Sequence, residues 1–469
     1  MVLQVEQSFI SNQPTDQWQP YLDHEVIPAI TVAFPCFQVG RQASWHWNAE
    51  QRRALAPWSG KVERRFGRID GVLASVPASK LDHALRGLRR DKHVEYAEPN
   101  YVLRATTDDP AFNQLWGLQK IGAPAAWDVT TGSADVVVGV IDTGVDFSHP
   151  DLVGAMWLNT GESCGPCRTN GVDDDGNGYV DDWRGWDFAN GDNDPSDDNG
   201  HGTHVAGTIG AVGSNGVGIT GVSQRVRLMG LKFIGANGEG TAADALSAIL
   251  YAAAAGADIT NNSYGGDGFS QAMLDAIRTA DTDGSLFVAA AGNSSSDNDA
   301  EPVYPAGYDL PNVVSVGASD MNDNLAWFSN YGAASVDLAA PGVSVYSTSP
   351  GGGYRFESGT SMAAPHVTGA AALAKAAFPG ASGVGLKALL LRTTDPAAGL
   401  AVAARTGGRL NVNSAVRCAG APRVWLDAPA PEFEVAVGEQ DREQHAAHAA
   451  DVAASLVQIT ETVAPEVLF

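Results

Sequence analysis

An apolar segment at residues 136–141, Val-Val-Val-Gly-Val-Ile, constrains the fold of this chain more than any other stretch. A strand that is apolar on both faces is typical of a parallel sheet covered on both sides. The segment ends at Asp142, and open α/β sheets carry their functional groups at the carboxyl ends of their strands. The sequence therefore predicts a buried strand that presents a carboxylate at a functional edge.

Similar apolar segments alternate with helical segments rich in small residues along much of the chain. Strands are predicted at residues 136–141, 226–234, 259–263, 286–291, 313–316 and 336–338, and helices at 241–255, 270–283, 361–378 and 385–393. Alternating strands and helices are typical of an α/β fold. We therefore expect a doubly wound, mostly parallel sheet with helices on both faces.

Two further polar side chains begin predicted helices. Ser361 follows Gly359 and Thr360 and precedes an Ala-rich run, and His201 begins another helix of small residues. The free N–H groups and positive dipole at a helix N-terminus favour an attacking oxygen and the oxyanion that it creates. Capping of the helix is the alternative role for a serine at this place. The chain order of Asp142, His201 and Ser361 is that of the catalytic groups of subtilisin.

The segments around these three residues resemble the signature blocks of the subtilisin-like serine proteases (subtilases), with thermitase-like members closest. The blocks are residues 142–144, Asp-Thr-Gly; 201–204, His-Gly-Thr-His; and 359–363, Gly-Thr-Ser-Met-Ala. The resemblance extends from about residue 108 to about residue 415. It implies a serine endopeptidase in which Ser361 attacks the peptide carbonyl, His201 acts as base and Asp142 orients the imidazole. His204 and His366 are interpreted as packed histidines.

The resemblance also implies an oxyanion hole and a substrate groove. Asn293 follows a predicted strand and matches the oxyanion-hole asparagine of the family, whereas a turn-forming Gly-Asn pair is the structural alternative. Residues 262–266 resemble the strand that pairs with an extended substrate. The implied substrate-binding residues are Ser263, Tyr264, Gly265, Ala290, Ala291 and Gly292. No acidic residue is predicted at the base of the primary pocket, so we expect broad specificity with an apolar preference.

Acidic loops predict structural calcium. Residues 173–178 match the start of an EF-hand loop, but Arg184 stands where the final Glu is required, which excludes a true EF-hand. Asp181 and Asp182 are alternative sources of the last carboxylate, and the ligands predicted for this loop are Asp173, Asp175, Asn177 and Asp182. The resemblance implies two more sites, one at Asp187, Asp192 and Asp194, the other at Asp109, Asp151 and Asn215 with the carbonyls of Gly213, Val217 and Ile219. An acidic surface without ions is the alternative, and no organic cofactor is expected.

Charge is distributed unevenly along the chain. The whole chain has 29 Lys and Arg against 54 Asp and Glu, whereas residues 1–107 have 13 against 11. The excess of Asp and Glu therefore lies after residue 107, and it argues against a nucleic-acid partner. No apolar run is long enough to predict a membrane span. We expect a monomer that is secreted or held at the cell envelope, although residues 1–7 lack the features of a signal peptide.

One cysteine pair offers an alternative chemistry. Cys164 and Cys167 have the spacing of a thioredoxin-like redox pair, which would make the protein a thiol oxidoreductase. The surrounding loop is rich in Gly, Asn and Asp and does not begin a helix. These surroundings favour a local disulfide or two free thiols.

A separate pattern precedes the protease-like region. A strand is predicted at residues 72–76, an amphipathic helix at 81–88 and a strand at 94–98. This module resembles the inhibitory propeptide of the family, and an unrelated small adapter is the alternative.

The predicted organisation has four parts: an irregular leader of unknown role at residues 1–55, a propeptide-like module at 56–107, a catalytic domain at 108–417, and a tail at 418–469 that would be a fragment of a β module. We expect a zymogen that cuts itself between about residue 104 and residue 109. A propeptide-locked or inactive subtilase that acts as a binding module is the alternative function.

Overall fold

The computed structural model describes residues 29–33, 53–66, 71–91, 94, 96–99 and 107–418. The chain divides into two compact units between Arg104 and Ala105. Most of the predicted leader, the predicted self-cleavage segment before residue 107 and the C-terminal tail after Cys418 lie outside the described residues.

The described residues of the N-terminal unit include a four-stranded antiparallel sheet and an amphipathic helix. Its strands are β1 (Ala29–Ala33), β2 (Lys61–Phe66), β3 (Gly71–Ser75) and β4 (Tyr96–Pro99), in the order β2-β3-β1-β4, and its helix is α1 (Leu81–Leu88). Leu55, Val72, Ala74, Leu85 and Leu88 form part of its buried core. The periodicity of residues 81–88 thus predicted α1 with the correct bounds.

Strand β1 corrects one expectation. Residues 1–55 were expected to be irregular, yet Ala29–Ala33 pairs with β3 on one side and β4 on the other. A five-residue strand offers little periodicity by itself, and this strand is defined by partners about 40 to 70 residues away. The predicted boundary at residue 56 therefore separates one strand of this sheet from the other three.

The C-terminal unit is built on a large, mostly parallel sheet. The strands of this unit are β5 (Gly132–Asp142), β6 (Gly185–Asp187), β7 (Arg225–Lys232), β8 (Ile259–Asn262), β9 (Leu286–Ala290), β10 (Val313–Ser319), β11 (Leu338–Pro341), β12 (Val345–Ser349), β13 (Gly353–Glu357), β14 (Asp395–Pro396) and β15 (Gly408–Arg409). Nine of them form the sheet in the order β14-β15-β11-β10-β9-β8-β5-β7-β6, in which only β14 and β15 pair antiparallel. All residues of β8, β9 and β10 are buried. The predicted fold class is confirmed.

Helices cover both faces of this sheet. They are α2 (Trp116–Lys120), α3 (Ala123–Ala126), α4 (His201–Gly210), α5 (Ala242–Ala254), α6 (Gln271–Thr282), α7 (Thr360–Ala377), α8 (Gly383–Arg392) and α9 (Val412–Arg417). One apolar cluster contains buried residues of α4, α7 and α8, and a second contains buried residues of α5 and α6. The two clusters correspond to the two layers of a doubly wound sheet.

An antiparallel hairpin, β12 and β13, leads directly into α7 and was not predicted. Its β12 strand braces α4, because the Ser347 and Thr348 hydroxyls donate hydrogen bonds to the carbonyls of His204 and Thr203, each at 2.7 Å. The hairpin therefore joins the helices that carry two of the three predicted catalytic residues.

Two smaller findings concern the described residues. Cys164 and Cys167 form a disulfide, which was one of the two states expected for this pair. No described helix is both long enough and apolar enough to cross a membrane.

Candidate active site

Asp142 and His201 meet at the carboxyl edge of the sheet. Asp142 is the last residue of β5 and is completely buried, and His201 is the first residue of α4. The Nδ1 atom of His201 donates a hydrogen bond to Oδ1 of Asp142 at 2.7 Å. The backbone N–H of Thr143 donates to the same oxygen at 2.7 Å, which fixes the orientation of the carboxylate.

Glycine permits this close approach of α4 to the end of β5. A Cβ atom at Gly202 would lie 2.1 Å from the carbonyl oxygen of Gly144, well inside van der Waals contact. The residue before His201, Gly200, has φ +107°, a conformation that side chains rarely adopt. The glycines on either side of the histidine therefore allow the helix to begin against the aspartate.

The environment of His201 favours its protonated form. Burial of the imidazole lowers the pKa of His201, but the charge and hydrogen bond of Asp142, with the nearby carboxylates of Glu357 and Asp197, raise it to about 9. Glu357 is the last residue of β13, forms an ion pair with Arg355 and was not singled out in the sequence. An imidazole with this pKa becomes an effective base as the pH rises.

Ser361 is the second residue of α7 and is partly exposed. Its hydroxyl donates to the carbonyl oxygen of Ser263 at 3.1 Å, and the Ser263 hydroxyl donates to the carbonyl of Ser361 at 2.9 Å. Within the described residues, no hydrogen bond joins the Ser361 hydroxyl to His201. The pairing of nucleophile and base therefore stays a prediction.

Asn293 lies next to the N-terminus of α7 with its amide held in one orientation. The N–H and hydroxyl of Thr360 donate to Oδ1 of Asn293 at 2.8 and 2.9 Å, which leaves the Nδ2 group to face elsewhere. A Cβ atom built on Gly359 would lie 3.6 Å from the Ser361 nitrogen and 3.7 Å from Nδ2 of Asn293. Both nitrogen atoms therefore lie within 3.7 Å of one point beside Gly359.

The two other histidines near the catalytic blocks are buried and bonded to the backbone. The Nε2 atom of His204 donates to the carbonyl of Val345 at 3.1 Å, and Nδ1 of His366 donates to that of Met362 at 2.8 Å. Burial lowers the pKa of both imidazoles to about 4. They are therefore neutral at physiological pH and pack as the sequence predicts.

The segment after β8 presents unpaired backbone next to Ser361. Gly266 exchanges two backbone hydrogen bonds with Tyr304, each at 2.8 Å. Within the described part of the chain, the N–H and C=O groups of the preceding Gly265 have no partner. Tyr264 and Gly265 line a cleft of about 560 Å³ together with Phe233, Ile234 and residues of the 238–242 loop. Ala290, Ala291 and Gly292 do not line this cleft. They lie at and just after the end of β9, which pairs with β8 in the sheet.

The acidic loop at residues 173–178 lies close to a carboxylate that was not predicted from the sequence, that of Glu162. Oxygen atoms of Glu162, Asp173 and Asp175 all lie within 4.8 Å of one another, the single such group of His, Cys, Asp and Glu side chains among the described residues. Glu162 is completely buried, and its Oε2 atom has no hydrogen-bond partner. It lies eleven positions before Asp173, beyond the Cys164–Cys167 disulfide, so no local motif pointed to it.

Asp182, the ligand predicted in place of the missing Glu, has a different environment. The side chains of Asn159 and Asn177 donate to its two oxygens at 2.7 and 2.9 Å, and the Tyr251 hydroxyl donates to Oδ2 as well. Both oxygens are satisfied, and Asp182 lies outside the carboxylate group of Glu162. Asn177 bridges Asp182 to the loop, since its Nδ2 atom also lies 3.3 Å from Oδ2 of Asp175.

The structure brings the residues of the predicted site around Asp109 together, and the carboxylates of Asp109 and Asp151 accept hydrogen bonds there. The N–H of Asn215 donates to Asp109 at 3.1 Å, and its side chain donates to Asp151 at 3.0 Å. Ile219 and Tyr354 donate to the other oxygen of Asp151, each at 2.8 Å. Gly213 and Val217 belong to the same loop.

The third predicted site is only partly assembled. Asp187 and Asp192 exchange backbone hydrogen bonds, but the Asp194 side chain forms an ion pair with Arg184 at 2.6 Å. Arg184 thus occupies a carboxylate that was predicted to bind an ion.

The chain is similar to known proteases in sequence and in fold. The sequence profile of the subtilase family matches residues 133–416. A thermophilic serine proteinase from Bacillus sp. strain AK1 is 37% identical over 373 residues, which cover 79% of this chain and 84% of that protein. Thermitase from Thermoactinomyces vulgaris is 37% identical over 318 residues, covering 66% of this chain and 99% of thermitase. A solved protease structure from Pseudoalteromonas arctica superposes with a TM-score of 0.57 at 29% identity, covering 67% of this chain and all of that one.

Proposed function

Because this chain belongs to the subtilase family and is a serine endopeptidase, we propose that it cleaves peptide bonds through Asp142, His201 and Ser361. The observation that carries the assignment is the 2.7 Å hydrogen bond between His201 and buried Asp142. It accompanies a serine at a helix N-terminus, next to Thr360, which donates two hydrogen bonds to the side chain of Asn293. Each of the three groups needs the others, since a serine hydroxyl is a poor nucleophile without a base.

In the proposed reaction, the Ser361 hydroxyl leaves the Ser263 carbonyl and attacks the carbonyl carbon of the scissile bond. His201 takes the hydroxyl proton at Nε2, while Asp142 holds the imidazole through Nδ1 and stabilises its positive charge. The Ser361 N–H and Nδ2 of Asn293 stabilise the oxyanion. His201 then protonates the leaving amine, and water hydrolyses the acyl-enzyme by the same steps in reverse order.

An extended substrate would pair with the free N–H and C=O groups of Gly265, as an added strand pairs with a sheet edge. Backbone pairing requires little of the substrate sequence. The neighbouring cleft contains Phe233, Ile234 and Tyr264, which favours apolar side chains. We therefore propose broad specificity with an apolar preference, with Ser263, Ala290, Ala291 and Gly292 completing the groove.

Calcium is the proposed structural cofactor. Oxygen ligands suit Ca²⁺, and the close carboxylates of Glu162, Asp173 and Asp175 repel one another unless a cation lies among them. The unpartnered Oε2 atom of buried Glu162 fits this assignment. We propose Asp109, Asp151 and Asn215 as a second site, and Asp187 and Asp192 as a weaker third. In each case the ion would neutralise charge and hold a loop rather than take part in peptide hydrolysis.

We also propose that the protein is made as a zymogen that acts outside the cell. The four-stranded N-terminal unit would be the inhibitory module, removed by self-cleavage between about residue 104 and residue 109. The proposed order of parts is the leader, this module, a catalytic domain that ends near residue 417, and the tail. The near-neutral first 107 residues and the acidic remainder are consistent with electrostatic attraction between inhibitor and enzyme.

The catalytic assignment is tested by variants of the nucleophile and the base. Ser361→Ala is expected to lower kcat by about 10⁶-fold, the scale known for a subtilisin, and adding His201→Ala should cost little more because the residues act as a unit. The measurement is hydrolysis of casein and of a peptide anilide. Comparable hydrolysis by Ser361→Ala would refute the assignment, and a wild-type chain that binds peptides without cleaving them would favour the binding-module alternative.

A further inference from the structure

Asn330 is a completely buried asparagine whose hydrogen bonds lie on both sides of Asn293. We propose that Asn330 is a positioning residue that holds the oxyanion loop, residues 291–296, so that Nδ2 of Asn293 faces the reacting carbonyl oxygen. The inference rests on the role proposed above for Asn293. It assigns a catalytic consequence to a side chain that contacts neither substrate nor catalytic triad.

Asn330 forms three hydrogen bonds with the backbone of the loop. Its Oδ1 atom accepts hydrogen bonds from the N–H groups of Ser294 at 2.8 Å and Ser296 at 3.2 Å. Its own N–H donates to the carbonyl of Gly292 at 2.9 Å. One residue therefore fixes the backbone immediately before and after Asn293.

A second buried amide extends this support to the start of the loop. The Nδ2 atom of Asn330 donates to Oδ1 of Asn298 at 2.9 Å, and Asn298 donates in turn to the carbonyl of Ala291 at 2.8 Å. Asn298 is also almost completely buried. Buried amides with satisfied partners are rigid, because breaking any one bond leaves an unpaired polar group.

Packing against Gly292 restrains the same loop. Gly292 has φ +112°, and a Cβ atom there would lie 2.5 Å from Nδ2 of Asn330. The amide thus lies where any other residue at position 292 would place its side chain. Asn293 itself is exposed, and the hydrogen bonds that its side chain forms with other described residues are those that Oδ1 accepts from Thr360.

The catalytic consequence follows from how an oxyanion hole works. Its donors stabilise the transition state because they are fixed before the reaction, and a displacement of about 1 Å can cost on the order of a hundredfold in rate. Asn330→Ala removes the acceptor of two loop N–H groups and the partner of Asn298. The loop then no longer holds Nδ2 of Asn293 at the required place.

The experiment is steady-state kinetics on a peptide p-nitroanilide for Asn330→Ala, Asn293→Ala and the double variant. We expect Asn293→Ala to lower kcat about 10²–10³-fold, the scale of an oxyanion-hole donor in a subtilisin. Asn330→Ala should lower kcat about 10- to 100-fold with KM changed less than about threefold. The double variant should be no slower than Asn293→Ala within about threefold, since Asn330 acts only through Asn293.

Asn312→Ala is the matched control. Asn312 is equally buried and also donates to backbone carbonyls, those of Ile277 and Ser285, but it precedes β10 at the opposite end of the sheet. Its loss should lower the melting temperature and leave kcat unchanged. If Asn330→Ala does not fold, Asn298→Ala replaces it and should show the same selective loss of kcat.

Four results distinguish the outcomes. Equal kcat for Asn330→Ala and Asn312→Ala would overturn the inference, and so would losses that multiply in the double variant. Full activity of Asn293→Ala would instead refute the proposed oxyanion hole. Loss of kcat in both single variants without further loss in the double variant would support the positioning role.

Discussion

The most informative perturbation of the acidic loop is Glu162→Gln, because its effect on stability should change sign with calcium. Without the ion, the substitution removes one of three close negative charges and replaces the unpartnered Oε2 atom with an amide nitrogen. Oε1 still accepts the N–H groups of Asp174 and Asp175. In chelator, the variant should therefore melt at the same temperature as the parent or higher.

With calcium present, the Glu162→Gln variant should instead melt at a lower temperature than the parent. A ligand at 100 times its Kd adds about 2.7 kcal/mol to the stability of the native state. If loss of one carboxylate weakens binding about 100-fold, the same concentration adds only about 0.4 kcal/mol. The difference of about 2.3 kcal/mol corresponds to roughly 4 °C in melting temperature for a domain of about 300 residues, at about 2.1 cal/mol/K of unfolding entropy per residue.

The assay is thermal unfolding in EDTA and in CaCl₂, with calorimetric titration of Ca²⁺ as a direct measure of affinity. Ser361→Ala is the parent, so that self-digestion does not obscure the transition. Glu301→Gln is the control, because Glu301 is exposed and lies outside the carboxylate group. A Glu162→Gln variant that binds Ca²⁺ as tightly as the parent, or that shows the same melting difference in both buffers, would refute the role of Glu162.

Three further outcomes are expected. Glu357→Gln should move the acid limb of kcat/KM to lower pH, because the Glu357 carboxylate raises the pKa of His201 and its loss lets the base form appear earlier; a limb that does not move would contradict this. Gly202→Ala should destabilise the protein by about 1–3 kcal/mol and reduce activity, since its Cβ would meet a backbone oxygen at 2.1 Å, whereas Gly380→Ala, with open space around it, should do neither. The wild-type chain should mature to an N-terminus near Asp108 while a variant of the active-site serine stays full length, and N-terminal sequencing that finds both trimmed at one bond in a protease-free host would exclude self-cleavage.

Short motifs were enough to predict those residues and strands whose position depends on their sequence neighbours. Asp142 and His201 could be found because each is fixed by its own strand end or helix start, and parallel strands bring their carboxyl ends to one edge. The buried strand β9 was predicted from its own residues as well, since its sequence Leu-Phe-Val-Ala-Ala is a continuous apolar run.

Long-range partners were not predictable in this way. Glu162 reaches its aspartates across a disulfide-closed loop, and Asp182 is satisfied by Tyr251 from helix α5 rather than left for an ion. Asn330 contacts the oxyanion loop from more than thirty positions away. No periodicity or motif predicts such contacts, because they form only when the sheet has folded.

Active-site labelling determines whether Ser361 is the nucleophile of an Asp142–His201–Ser361 unit. The active protein is treated with a serine-directed fluorophosphonate, and the modified peptide is identified by mass spectrometry. We expect one adduct per molecule, on Ser361, formed in proportion to the loss of peptidase activity and abolished by His201→Ala. Loss of activity with the adduct on another residue, or full activity after Ser361 is completely labelled, would contradict it.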